Sequence, residues 1–392
     1  MNKRLIAAMA ATLCATAMGA ALAEAPVPAA ENGVITADEW STVHPEIVVT
    51  YKNNEQNNYR ISYIEKDPYI TTLYEGFGFA KDYTSAIGHT YTLKDVAETE
   101  RPHALANCLT CKTPDFTKLV NDMGVDAYSL PFDEVYAKMG ESVSCYNCHA
   151  NEGDKLVVTH SYVKNALGTN MDSIAPQTLS CGQCHIEYYF DPATKATMMP
   201  YDSVEAMSPE AILAYYNEMD FADWTQPSTG TRMLKAQHPE FETFLGEGSV
   251  HKNMMNCASC HMEKSTTEAG VAFTSHTWTS PLASESLTAS CAACHGATDM
   301  KAYVGAIQEE ITARETEVGE KLAALKTKLA EAVASGARSE EDLNAVRSLY
   351  RDAQWYWDFC YVENSEGAHN SKLARKCLDT AEALAEQAMA LL

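Results

Sequence analysis

The cysteines are the residues of this sequence with the clearest chemical meaning, and their spacing says more than their number. Of the thirteen cysteines, ten form five Cys-x-x-Cys pairs. The pairs are Cys108/Cys111, Cys145/Cys148, Cys181/Cys184, Cys257/Cys260 and Cys291/Cys294. A histidine directly follows four of them (His149, His185, His261 and His295), whereas Lys112 follows the first. This regularity indicates one repeated chemical unit rather than a disulfide framework.

A Cys-x-x-Cys-His segment is the signature of covalent haem attachment. Two thioethers hold the edge of the porphyrin, and the adjacent histidine is placed to bind the iron. Tetrahedral zinc sites also use Cys-x-x-Cys pairs, but they do not require a histidine at the next position each time. Redox dithiols occur singly rather than five to a chain. The sequence therefore predicts five covalently bound haem c groups.

Each six-coordinate haem iron needs a second ligand beside the motif histidine. Eight further histidines are available for this role. They are His44, His89, His103, His160, His238, His251, His276 and His369. Counting alone does not choose among them, and with 16 methionines present, methionine ligation stays an alternative.

Lys112 gives the first pair a different chemistry. A lysine amine binds a metal only in its neutral form, which requires a large fall in its pKa. An iron with such an unusual ligand and an open opposite face can bind substrate, so this position is the candidate catalytic centre. The alternative is a site that has lost its haem or a misread dithiol.

The predicted secondary structure around these motifs changes at about residue 300. Residues 24–300 read as short helices and loops, as expected when haems supply much of the apolar core, and form the predicted pentahaem region. Residues 301–392 show apolar residues at helical spacing in three runs, with a stop at Gly336 and a helix cap at Ser339. We therefore predict a mainly α multihaem c-type cytochrome with long C-terminal helices. Their apolar faces either complete the core or meet a second subunit, and Cys360 and Cys377 either form a disulfide or stay buried thiols.

The N-terminus predicts export. Lys3 and Arg4 precede an apolar stretch that ends near Ala23, which is typical of a cleaved signal peptide over residues 1–23. Cys14 as a lipid-attachment site is the less favoured alternative. No later stretch is apolar for the length of a membrane span, so we expect a periplasmic or otherwise exported protein without a transmembrane span of its own. A net charge of −24 without a basic stripe argues against nucleic acid as a partner.

Together these motifs resemble the pentahaem, ammonia-forming cytochrome c nitrite reductases, and the likeness extends beyond the haem sites. Residues 181–190, Cys-Gly-Gln-Cys-His-Ile-Glu-Tyr-Tyr-Phe, are similar to that family's third haem site and its Glu-Tyr tail. Residues 235–240, Lys-Ala-Gln-His-Pro-Glu, are similar to its Lys-x-Gln-His-Pro-Glu segment. Residues 95–101 resemble the stretch that ends in its active-site arginine.

The resemblance implies that Lys112 is the proximal ligand of the catalytic haem and that Arg101, Tyr188 and His238 line its open face. It implies His89, His251, His276 and His369 as the distal ligands of the other four haems, without pairing them. Alternatives remain for the open face: His238 as a spare haem ligand, Tyr188 as a core aromatic, and Arg101 as a partner of a haem propionate.

The resemblance also implies a structural calcium, held by the side chains of Glu187 and Gln237 and the carbonyl oxygens of Tyr188 and Lys235. The alternative for Glu187 is a salt bridge. Nitrite is the implied substrate, reduced to ammonium by six electrons. The implied partners are a multihaem cytochrome donor, membrane-anchored or soluble, and a second copy of the chain in a homodimer. The alternative functions are a non-catalytic electron-transfer cytochrome and a multihaem reductase of hydroxylamine or sulfite.

Overall fold

The computed structural model describes residues 25–56 and 59–392. The predicted signal peptide and Cys14 lie outside the described residues. Within the described part, no helix is both long enough and apolar enough to cross a bilayer.

Helices dominate the described chain, and most of those before residue 300 are short. They are α1 (Ala37–Trp40), α2 (Pro45–Lys52), α3 (Tyr63–Lys66), α4 (Ile70–Leu73), α5 (Thr92–Glu98), α6 (Pro114–Met123), α7 (Phe132–Tyr136), α8 (Cys145–His149), α9 (Ser161–Leu167), α10 (Pro176–Gly182), α11 (Pro209–Glu218), α12 (Glu240–Leu245), α13 (Cys257–His261), α14 (Glu285–Ser290), α15 (Ala292–His295), α16 (Met300–Ser335), α17 (Glu340–Tyr361) and α18 (Ser371–Leu391). Short 3₁₀ turns fall between them, at Asn53–Gln56, Gly78–Ala80, His89–Tyr91, Ala106–Leu109, Gly124–Ser129, Gly168–Ser173, Val204–Ala206 and Pro281–Ala283.

The described strands form three small antiparallel hairpins. They pair β1 (Tyr189–Phe190) with β2 (Thr197–Met198), β3 (Trp224–Thr225) with β4 (Arg232–Met233), and β5 (Lys264–Thr266) with β6 (Ala272–Thr274). In β1–β2, Tyr189 lies opposite Met198. These hairpins are too short to build a layer, so the fold is organised by helices.

The three C-terminal helices pack against one another as the sequence predicts. Gly336 ends α16 in the left-handed conformation (φ +61°), which a glycine adopts without steric cost. The Ser339 hydroxyl accepts a hydrogen bond from the Asp342 amide and caps α17. Their apolar faces complete the core of this chain, with Leu322, Val346 and Leu378 fully buried.

The main core joins these helices to residues 64–245, and a second core lies around α6 and α7. Cys360 and Cys377 are both buried and free, and the Cys360 thiol donates to Glu315 Oε1 at 3.3 Å. The alternative of free thiols therefore holds for these two residues. Between residues 250 and 310, by contrast, Ser275 and Leu287 alone are buried. That segment carries two Cys-x-x-Cys-His motifs and almost no side-chain core.

Candidate functional site

Three of the Cys-x-x-Cys-His motifs lie on a single helical turn or at its end. In α8 the Ser144 hydroxyl and the Asn147 side chain form a capping box, and in α13 the Asn256 side chain accepts from the Ser259 amide. Such a turn places the two cysteines, three residues apart, on the same helix face. The first motif differs, because it begins inside the 3₁₀ turn Ala106–Leu109 and Cys111 has a φ of +62°. Positive φ is uncommon for a residue with a Cβ, so the backbone just before Lys112 has a conformation that few such residues adopt.

Cys294 departs from the pattern of the other motif cysteines. Nine of the ten are partly buried in the protein, whereas Cys294 is exposed. Cys294 is thus the one motif cysteine that the described structure leaves exposed. The physical reason is local, because α15 is a single turn in a segment that has almost no apolar core. A haem attached at Cys294 would have to cover this thiol with its own porphyrin.

Each motif histidine faces one of the four predicted distal histidines. The ring centroids are 6.1 Å apart for His149 and His276, 5.9 Å for His185 and His89, 5.9 Å for His261 and His369, and 6.2 Å for His295 and His251. With metal–nitrogen bonds of about 2 Å, two imidazoles on opposite sides of one metal ion have centroids roughly 6 Å apart. The four pairs therefore fit the axial positions of four haems, and the fold supplies the pairing that the sequence left open.

Hydrogen bonds orient several of these rings by their Nδ1 atoms. The acceptors are backbone carbonyl oxygens of Lys155 for His149 (2.7 Å), Thr279 for His261 (2.9 Å) and Thr274 for His276 (2.9 Å). Holding Nδ1 in this way leaves Nε2 free to bind a metal. Burial lowers the pKa of His276 to about 4, which favours the neutral imidazole that a metal requires.

The remaining histidines do not face a motif histidine in this way, with one exception. The ring centroids of His238 and His185 are 6.3 Å apart. His44 stacks on Trp40, and His103 Nδ1 contacts the Arg101 carbonyl oxygen at 2.7 Å. His160 Nε2 lies 3.3 Å from Cys184 Sγ.

Several of the Cys-x-x-Cys pairs lie next to one another in the fold. Cys111 and Cys184, together with His160, have their ligand atoms within 4.8 Å of one another. The helices α10 and α13, which carry Cys181 and Cys257, pack against each other. This arrangement brings the first, third and fourth motifs into one series. Neighbouring cofactors in such a series can exchange electrons.

The residues predicted to line the open face lie around the first motif. Thr92 Oγ1 donates to the Lys112 carbonyl oxygen at 2.6 Å. The Arg101 guanidinium lies over the Phe79 ring at 4.4 Å, and its Nε donates to Thr99 Oγ1 at 3.0 Å. Arg101 thus carries its positive charge next to an aromatic ring.

Tyr188 and His238 both lie in this low-dielectric environment. Burial, with added effects from the Cys111 and Cys108 thiols, raises the pKa of Tyr188 well above its ordinary value. Burial lowers the pKa of His238 to about 4, although the nearby Glu240 carboxylate opposes the shift. Within the described chain, His238 Nδ1 is buried without a hydrogen-bond partner, as expected of a group that binds a ligand.

Three of the four predicted calcium-ligand residues, Glu187, Lys235 and Gln237, lie together next to His238, and Tyr188 follows Glu187 in the chain. Glu187 is fully buried, and its carboxylate accepts from the Gln237 amide (2.6 Å) and the Tyr216 hydroxyl (2.9 Å). The Lys235 carbonyl oxygen accepts from Gln237 Nε2 at 2.9 Å. These are the hard oxygen groups that calcium prefers, and exchanging the amide oxygen and nitrogen of Gln237 would add one more. No cation contacts Glu187 within the described residues, so the salt-bridge alternative is not supported.

Further buried acids surround this cluster, and no sequence motif indicated them. Burial raises the pKa of Glu242 to about 8 and that of Asp223 to about 7. Glu242 Oε2 has no hydrogen-bond partner in the described chain. A bound divalent cation would offset this buried negative charge, so the residues present fit a calcium ion.

Comparison with known proteins agrees with this geometry. The sequence matches the cytochrome c552 family over residues 36–392. The chain is similar to the catalytic subunit of cytochrome c nitrite reductase from Desulfovibrio desulfuricans, a protein described with two calcium sites. The TM-score is 0.82 and the identity 25%, over 91% of this chain and 85% of that one.

Two larger cytochromes are more distant. The outer cell wall cytochrome OcwA is 20% identical (TM-score 0.41, 76% of this chain and 48% of that one). The undecahaem S-layer cytochrome of Carboxydothermus ferrireducens is 16% identical (TM-score 0.45, 90% and 45%). The predicted family and the mainly α multihaem fold are confirmed by the family match and the nitrite reductase likeness. This chain belongs to the cytochrome c552 family.

Proposed function

We propose that this protein reduces nitrite to ammonium at the haem c attached through Cys108 and Cys111, with Lys112 as its proximal ligand. Four further haems, each between two histidines, would supply the electrons. The family match and the likeness to a nitrite reductase catalytic subunit support this activity. Bound haem would contribute a redox-active iron that accepts electrons from its neighbours and delivers them to the substrate nitrogen.

The observation that carries the proposal is an asymmetry among the five motifs. The four motif histidines each face a predicted distal histidine at a centroid distance near 6 Å. Around the first motif, which ends in Lys112, lie Arg101, Tyr188 and His238 instead, a cation and two groups that can carry protons. An electron conduit has no need of this arrangement, whereas a substrate site does.

The three side chains would have separate tasks. Arg101 would draw the nitrite anion into the pocket and stabilise negative charge that develops on its oxygens. Reduction to ammonium consumes eight protons, which Tyr188 and His238 would deliver from the phenol oxygen and the imidazole. The buried, partnerless Nδ1 of His238 is placed to take part in a hydrogen bond with substrate.

Calcium held by Glu187, Gln237 and the carbonyl oxygens of Tyr188 and Lys235 would fix Tyr188 and His238 in place. We further propose that the protein is exported, forms a homodimer through its long C-terminal helices, and receives electrons from a multihaem cytochrome. The separation of short-helix and long-helix regions at about residue 300 remains a prediction of domain organisation.

The experiment is product analysis on purified holoprotein with reduced viologen and nitrite, comparing wild type with Lys112→Leu. We expect six electrons per nitrite and ammonium as the sole product from wild type. Lys112→Leu should keep its haems, since both thioethers remain, but should lose nitrite turnover because the iron loses its proximal ligand.

Lys138→Leu, at an exposed lysine, is the matched control and should keep full activity. Full activity of Lys112→Leu would refute the assignment of the catalytic haem. Absence of turnover in wild type with all five haems bound would leave an electron-transfer cytochrome instead.

A further inference from the structure

Glu363 is a buried carboxylate in the loop between α17 and α18, and it contacts a predicted haem ligand. Its Oε1 lies 2.7 Å from His369 Nδ1, and the side chain is 4% exposed. The Ser365 hydroxyl donates to Glu363 Oε2 at 2.5 Å and accepts from the His369 amide at 2.9 Å. The carboxylate is thus fixed on both oxygens, with one of them directed at the imidazole.

This contact distinguishes His369 from the other haem-ligand candidates. His149, His261 and His276 bind neutral backbone carbonyl oxygens through Nδ1. His185 has a carboxylate nearby, Glu240 Oε2, but at 3.7 Å it lies beyond hydrogen-bond distance. Among the described candidates, His369 therefore has the one Nδ1 that is hydrogen-bonded to an acid.

We propose that Glu363 is a positioning residue that lowers the reduction potential of the haem between His261 and His369. An anionic acceptor on Nδ1–H increases the basicity of the opposite nitrogen and fixes its orientation. A more basic ligand stabilises ferric over ferrous iron, so the one-electron reduction of this haem becomes less favourable. The Nδ1 proton stays on the imidazole throughout, shared with the carboxylate.

The position of this haem gives the effect a consequence for electron flow. Its Cys257 lies on α13, which packs against the α10 helix of the third motif, and Cys184 of that motif lies beside Cys111 of the first. Lowering its potential makes it a stronger donor to the haem of the third motif, and through it to the proposed catalytic haem. This inference rests on the ligand set in the proposed function, but not on the identity of the substrate.

The test is a redox titration of the holoprotein, followed by visible spectroscopy in the absence of nitrite. Glu363→Gln keeps the shape and an acceptor oxygen but removes the charge. We expect this substitution to raise the reduction potential of one low-spin haem. The ferrous-to-ferric ratio at fixed potential should rise at least tenfold, about 59 mV for a one-electron couple. Glu366→Gln is the control, since Glu366 is exposed and close in sequence. Potentials of Glu363→Gln that coincide with those of the control would refute the proposal.

A second measurement tests the proposal even if Glu363→Gln does not assemble with its haems. In the oxidised wild-type holoprotein, one low-spin haem should show the reduced g-value spread of a ligand with histidinate character. Four low-spin haems with ordinary bis-imidazole spectra would overturn the inference. His369→Ala should convert one haem to high spin. Unchanged spectra of this variant would refute the assignment of His369 as a haem ligand. Both readouts are independent of nitrite turnover, so failure of the proposed activity is distinguished from failure of this proposal.

Discussion

At the scale of residues, burial controls the protonation states around the first motif. Tyr188 retains its proton because an anionic phenolate would be poorly solvated there, and His238 is held neutral for the corresponding reason. A neutral phenol gives up its proton only to a base stronger than water. Under the proposed function, negatively charged intermediates of nitrite reduction would be such bases, so Tyr188 is suited to donate a proton to them.

We predict that Tyr188→Phe lowers kcat for nitrite by roughly 10²–10⁴-fold, the range typical of a lost general acid, with a smaller effect on KM. The measurement is steady-state turnover with reduced viologen. Tyr189→Phe is the control, because its hydroxyl bonds only the Tyr215 hydroxyl, at 2.9 Å. That variant should lose about 1 kcal/mol of stability and keep its activity. Equal kcat values for the two variants would contradict the role of Tyr188.

At the scale of elements, α17 is tied to the segment that carries the calcium and proton-donor candidates. Asp358 of α17 is fully buried, and its Oδ2 accepts from the Ala236 amide at 2.7 Å. Its Oδ1 accepts from the Tyr74 hydroxyl and lies 3.5 Å from Lys235 Nζ. Burial raises the pKa of Asp358 and lowers that of Lys235, so the mutual contact is what sustains both charges. The helix therefore fixes the segment from Lys235 to His238.

We predict that Asp358→Asn destabilises the protein by about 3–5 kcal/mol, because it leaves the Lys235 ammonium buried without its counter-charge. Denaturant unfolding followed by circular dichroism measures the change. Asp379→Asn, which breaks an ion pair with Arg314 at a side chain that is 73% exposed, should cost less than about 1 kcal/mol. Similar losses for both variants would show that the buried pair does not hold the segment.

The α16 helix offers a pH test. Burial raises the pKa of Glu315 to about 8, with a smaller opposing effect from the Cys360 thiol. The folded state then binds a proton that the unfolded state has lost above its ordinary pKa of 4.5. The stabilisation is complete below that value and is lost as the pH rises through about 8.

Glu315→Gln should therefore remove part of the fall in Tm between pH 5 and pH 8.5. Glu310→Gln is the control, since the Arg375 guanidinium lowers the pKa of Glu310 and its contribution is constant over this range. Parallel Tm–pH curves for wild type and Glu315→Gln would rule out ionisation of Glu315 in this window.

At the scale of the whole molecule, the C-terminal helices and the segment 250–310 are stabilised by different means. The helices α16, α17 and α18 have a packed apolar core, with Leu325, Val346 and Ala381 fully buried. Residues 250–310 have almost none, although they carry two haem motifs, and Cys294 is exposed there. Porphyrins in those motifs would supply the missing apolar surface.

We predict that protein made without haem attachment keeps protected amides in 311–361 and 371–388, whereas residues 250–300 exchange rapidly. Hydrogen exchange read by mass spectrometry on apoprotein and holoprotein measures this directly. Holoprotein should show protection in both regions. Equal protection of residues 250–300 with and without haem would mean that this segment is folded by side-chain contacts alone.

The family, the mainly α multihaem fold, the haem motifs and the three long helices were predictable from the amino-acid sequence. These features are local, because a thioether motif, a helix cap such as Ser339 and a helical apolar pattern each depend on residues close along the chain. For the same reason Lys112 is identifiable as unusual simply from its position directly after Cys111.

The pairing of the histidines, by contrast, follows only from the folded structure. His89 and His185 lie 96 positions apart in sequence, and no spacing rule relates such residues. The folded structure also placed Glu363 against His369, Asp358 against Lys235, and the Cys360 thiol against Glu315. Burial created the pKa shifts at Tyr188 and His238, because desolvation depends on what surrounds a group in space rather than along the chain.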